Sequence, residues 1–140
     1  MLWTGGAEDA IGSTCPQPLV KQPTCADDLR ALCNATSAAQ TRAMMYAFSP
    51  GGCHAVSVTL PEFKQDLANF LLVRGPYAWL GHGWLGCSQE YRFPKALDED
   101  YGVPSGLCGE TSTPGVFARD FSRATVTMDC NSWKGAVTMK

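Results

Sequence analysis

Trp79, His82 and Trp84 stand at alternate or near-alternate positions along the chain, with Gly81 and Gly83 between them. Glycines at such places let a ligand approach the backbone closely. An indole offers a flat apolar face with a polar edge, and an imidazole exchanges hydrogen bonds near neutral pH. These three residues are therefore the candidate ligand-binding set. Aromatic side chains fill cores equally well, so a pocket wall and a core layer both remain open for them, and Tyr77 reads as core.

Other reactive residue types fit no catalytic pattern. The acidic run Asp98, Glu99 and Asp100 reads as a solvated loop or helix cap, and Asp129 before Cys130 and Asn131 reads as turn chemistry. Ser49-Pro50-Gly51-Gly52 lacks the flanking glycines of a nucleophile elbow. Neither Cys53 with His54 nor His82 with Cys87 has the spacing of a zinc site, so no metal and no cofactor is expected. The seven cysteines, Cys15, Cys25, Cys33, Cys53, Cys87, Cys108 and Cys130, are scattered rather than grouped as C-x-x-C, which suits disulfides. Their odd number leaves one thiol free or paired outside the chain.

The sequon Asn34-Ala35-Thr36 makes Asn34 a candidate glycosylation site and, with the cysteines, points to the secretory pathway. The opening MLWTGG has neither a basic nor an apolar region of a signal peptide, so a processed or truncated product is expected. A net charge of −2 without a Lys/Arg cluster argues against nucleic acid. No apolar run is long enough to span a membrane. The hydrophobic fraction of 45% over 140 residues allows one domain with a real core.

Several elements must position these residues. Residues 1–40 read as an irregular, Gly- and Pro-rich arm containing one short helix from Cys25, with Asp27 or Thr24 as its cap. The apolar run AMMYAF over 43–48 reads as a buried strand. Thr59, Pro61 and Glu62 announce a helix carrying Phe63, Leu67, Phe70 and Leu71 at helical spacing, and Gly75-Pro76 stops it. A strand over 77–84 follows, so 41–112 reads as a strand, helix and strand with a connecting loop, a βαβ signature. Residues 113–140 alternate short β-rich runs with polar turns and read as an antiparallel hairpin or meander.

The stretches DLANFLLVRGPYAWLGHGW (66–84), DYGVPSGLC (100–108) and PGVFARDFSRATVTMDCNSWKG (114–135) resemble the C-terminal portion of glycoside-hydrolase-like (β/α)8-barrel proteins. The resemblance implies a last barrel helix, an eighth strand with a pocket-facing aromatic end, a D-x-G-x-P connection and a trailing antiparallel sheet. A whole barrel takes about 200 to 250 residues, so the expected fold is α/β: a partial (β/α) barrel segment, the last βα units, followed by a small antiparallel β-sheet. On that reading Trp79, His82 and Trp84 line a carbohydrate pocket. Glycoside hydrolysis needs two carboxyl groups about 5 to 9.5 Å apart, and none of the chain's carboxylates ends a proposed parallel strand. The catalytic pair would lie on strands supplied by other chains or a missing N-terminal region, leaving this chain inactive alone. The alternative is a small secreted, disulfide-stabilised binding module without enzymatic activity. Parallel pairing of 43–48 with 77–84 favours the first reading; an all-antiparallel sheet sinks it.

Overall fold

The computed structural model describes residues 20–34, 44–47, 62–82 and 94–140. The arm before Val20, Cys15, Thr36, Cys53, His54, Thr59, Pro61, Gly83, Trp84, Cys87 and the turn at 49–52 lie outside the described residues. Among the described residues two α-helices, α1 (Cys25–Asn34) and α2 (Phe63–Val73), accompany two sheets. Strands β1 (Met44–Ala47) and β2 (Trp79–His82) form one; β3 (Gly109–Glu110), β4 (Val116–Asp120), β5 (Ala124–Asp129) and β6 (Lys134–Met139) form the other, in that spatial order.

The larger sheet is built on period-two alternation. Ala124, Val126 and Met128 of β5 are buried while Thr125, Thr127 and Asp129 between them are less so. Antiparallel register sets Phe117 opposite Met128, Arg119 opposite Val126 and Gly135 opposite Met128, so these side chains share one face. Its turns are fixed by short-range bonds. Asp129 accepts from the Asn131 amide at 2.9 Å and the Ser132 hydroxyl at 2.7 Å, which turns β5 into β6. The DYGVP segment lies beside the β4–β5 turn: Asp100 accepts the Gly102 amide at 2.9 Å, and Gly102 takes a left-handed φ of 82°. A side chain there would strike the Ser122 hydroxyl, which holds the Val103 amide instead.

Helix α2 covers that face with Leu67, Ala68, Leu71 and Leu72. Gly135 allows the contact, because a Cβ there would lie 2.6 Å from the Lys64 carbonyl oxygen and 2.8 Å from Ala68 Cβ. The helix start is tied to the hairpin as well: Gln65 Nε2 donates to the Trp133 carbonyl at 3.0 Å, and Trp133 Nε1 donates to Glu62 at 3.3 Å. Helix α1 buries Cys25, Leu29 and Cys33, four residues apart and so along one face. Two disulfides fasten that face at both ends, Cys25 to Cys130 after β5 and Cys33 to Cys108 before β3.

The barrel expectation is overturned. β1 and β2 do pair in parallel, Met44 opposite Trp79 through Ala47 opposite His82, but the pair is two strands of four residues. In a (β/α) unit the connecting helix covers the parallel sheet that it joins. Here α2 lies chiefly on β5 and β6 of the antiparallel sheet. The molecule is a small mixed α/β fold in which both helices dock on an antiparallel sheet, with no barrel units among the described residues.

Candidate functional site

The candidate aromatic site begins where α2 stops. Arg119, buried on the inner face of β4, reaches the helix end, and its Nη1 donates to the carbonyls of Leu71 (3.2 Å), Leu72 (2.9 Å) and Arg74 (2.7 Å). Its Nε donates to the Gly106 carbonyl at 2.8 Å. The last carbonyls of a helix lack partners of their own and carry partial negative charge, so a guanidinium is well matched to them. Burial, and then the Arg74 charge, lower the Arg119 pKa, but a guanidinium stays protonated under all ordinary conditions. Arg119 and Arg74 also lie over the Phe121 ring, 5.5 and 5.8 Å from its centre.

This clamp fixes the exit of the chain into β2. Ala78 and Leu80 pack against the core, while Tyr77 and Trp79 are 61% and 53% exposed. Alternation therefore places both aromatics on the outer side. Trp79 is not a core filler, and the expectation that Tyr77 belongs to the core is corrected: it stands beside Pro76 in the turn between α2 and β2 and is exposed. His82 is the last residue of β2, and Trp84 lies outside the described residues, so the three-residue set is not seen assembled. Asn34 is the exposed last residue of α1.

Several of the described carboxylates serve structural bonds. Glu110 grips Arg30 of α1 through two bonds, 2.9 and 2.7 Å, and accepts the Gly115 amide at 2.6 Å. Asp120 accepts the Thr125 hydroxyl and pairs with Lys140, and Asp100 pairs with Arg123. The Arg30 bond, with the Gly115 amide behind it, pulls the Glu110 pKa from 4.5 down to about 2. The Thr125 hydroxyl lowers Asp120, and the Ser132 hydroxyl lowers Asp129. A group depressed in the folded state contributes stability that is present above its unfolded pKa and lost as pH falls through its folded pKa. Urea midpoints followed by circular dichroism should thus fall between pH 4.5 and about 2. Glu110→Gln should flatten that decline; an unchanged profile would refute the assignment.

A cleft of about 480 Å3 opens at the other end of α2, between Phe63, Leu67, Tyr101, Val137 and Met139, with Lys64, Lys95 and Glu99 around it. The Tyr101 hydroxyl is already committed to the Ala96 carbonyl at 2.5 Å. Burial, then the Glu99 charge, raise its pKa and keep it protonated. The walls are mainly apolar, so the cleft offers a sugar few free hydrogen-bonding groups. Among the described residues no group of three His, Cys, Asp or Glu could hold a metal ion, and no helix is long and apolar enough to cross a membrane.

Sequence reasoning missed Arg119 and the Arg30–Glu110 pair. The alternation of VFARD carried a signal for the first, since Phe117 and Arg119 fall on the same face of a strand. Arg30 and Glu110 are 80 residues apart, and nothing local joins them. No protein family matches the chain in comparison, and no curated protein matches it either.

Proposed function

We propose that this chain is a secreted, disulfide-stapled module that binds carbohydrate and performs no catalysis of its own. The observation that carries this reading is the outward placement of Tyr77 and Trp79, on a short segment whose intervening residues are anchored in the core. Rigid aromatic faces held in water are suited to the apolar face of a sugar ring, at small entropic cost. The resemblance of residues 66–84, 100–108 and 114–135 to glycoside-hydrolase-like proteins supports the same ligand class. The bridges Cys25–Cys130 and Cys33–Cys108 are compatible with an oxidising, extracellular setting. Glu110, Asp120 and Asp129 are each shifted downward by structural partners, which does not suit these three to the role of general acid in glycoside cleavage.

Affinity electrophoresis in gels containing soluble plant, fungal or bacterial polysaccharides tests the reading. At least one polymer should retard the protein. Trp79→Ala should weaken that interaction by roughly thirtyfold, the effect of losing an aromatic anchor worth about 2 kcal/mol, with an unchanged circular dichroism spectrum. If no polymer retards the chain, or if Trp79→Ala is retarded equally, the proposal fails.

A further inference from the structure

Helix α2 crosses the antiparallel sheet at a slant. It starts over β6, where the Lys64 carbonyl and Ala68 leave no room for a Cβ on Gly135, and it ends beside Arg119 of β4. The far half of β6 is left without that cover. Register sets Gly135, Val137 and Met139 on the inner face, opposite the buried Met128, Val126 and Ala124. Of the three, Gly135 is buried, Val137 is half-buried and Met139 is 46% exposed, so the core face runs out into the cleft of about 480 Å3. That volume is within the range of small-molecule sites. From Gly135 to Met139 the strand takes four residue steps, about 13 Å, the reach of an extended alkyl chain of roughly ten carbons.

The charges around the cleft are unequal. Lys64 of α2 and Lys95 of the short 3-10 helix Lys95–Leu97 stand on its walls, both exposed, and among the described residues neither is paired with a carboxylate. Lys64 marks the Gly135 end. Tyr101 marks the other, because its carbonyl accepts the Arg123 amide at 3.2 Å, next to Ala124, which lies opposite Met139. Glu99, the carboxylate of the lining, acts on Tyr101 and so lies toward that second end. An occupant is therefore met by apolar walls along its length and by an excess of positive charge. We propose that the cleft binds the anion of a medium-chain fatty acid, its carboxylate drawn to Lys64 and Lys95 and its alkyl chain laid along Val137 and Met139. The site is independent of the aromatic face at Tyr77 and Trp79, which lies past the opposite end of α2.

The test is isothermal titration calorimetry of the full chain with decanoate below its micelle concentration. One equivalent should bind. Octanoate should bind roughly tenfold more weakly, because two methylenes leave the apolar wall, and acetate and decylamine should give no heat of binding. Lys64→Glu should weaken decanoate about fivefold, the effect of a partly exposed ion pair. Met139→Asp, at an exposed position, should abolish the signal with an unchanged circular dichroism spectrum. Lys21→Glu, the same change of net charge outside the cleft, should bind as wild type. Absence of decanoate binding to the wild-type protein would overturn the proposal, as would equal affinity for decylamine. Undiminished binding by both Lys64→Glu and Met139→Asp would move the chain elsewhere and overturn the site. A dimer in sedimentation that Met139→Asp converts to monomer would give the cleft to a second copy and overturn it as well.

Discussion

Replacing Cys25 and Cys130 with serine should lower the stability of the protein by about 2–5 kcal/mol, the range for a native bridge in a small domain. The bridge closes a separation of 105 residues, and the constraint that it places on the unfolded chain grows with the logarithm of that length. Cys33–Cys108, spanning 75, should be weaker by only about 0.3 kcal/mol on this basis. Folded domains are stable by about 5–15 kcal/mol in total, so loss of both bridges should leave α1 undocked and much of the chain unfolded. Urea titrations of each serine pair and of the fully reduced protein check this, with circular dichroism as the signal. If the reduced protein unfolds at the same urea concentration as the oxidised one, the bridges are ornamental and the argument is wrong.

Arg119→Met should cost about 3 kcal/mol or more. Methionine keeps most of the side-chain volume but removes every donor, so the carbonyls of Leu71, Leu72, Arg74 and Gly106 lose their partner together. Each buried acceptor left unmade costs about 1–3 kcal/mol, and water can reach some of them, which keeps the sum below the product. Arg119→Lys should recover only part of the loss, because an ammonium cannot serve two directions at once as the planar fork does. The clamp also sets where α2 ends, so Arg119→Met should blur the placement of Tyr77 and Trp79. If the proposed carbohydrate binding holds, the polysaccharide retardation of this variant should be lost at lower urea concentrations than that of the wild-type protein. A urea midpoint equal to wild type would show that the helix end needs no clamp.

Much of the local structure was legible. Helix α2 announced itself through Phe63, Leu67, Phe70 and Leu71 and stopped before Gly75-Pro76, because periodicity and a Gly-Pro stop are local properties, whereas Thr59 and Pro61, read as its cap and early proline, lie outside the described residues and the N-cap Glu62 makes no side-chain capping bond. The β-rich runs after Val116 became β4 to β6 for the same reason. What α2 packs against was not legible. Periodicity shows which residues of a helix are covered but not by what, and the parallel strands on either side suggested the wrong sheet. The deciding feature is Gly135, sixty-two residues beyond Val73, whose missing side chain lets α2 rest on β6. The disulfide pairing was equally hidden. Cys25, Leu29 and Cys33 share a helix face, so both bridges leave in one direction, but their partners follow from the sheet alone. At the candidate site, the alternation of Ala78 and Leu80 with Tyr77 and Trp79 could have separated core from surface, had the aromatic bulk of Tyr77 not weighed more than its parity.

The two bridges also determine how the molecule responds to a protease. Both join a cysteine at or before position 33 to one at or after 108, so any single cut between these positions leaves the two pieces covalently attached. A nicked chain keeps its apparent size on a non-reducing gel and separates into two bands once a thiol is added. One cut on either side of α2 therefore releases neither half, and α2 keeps its seat on β5 and β6, closest at Gly135.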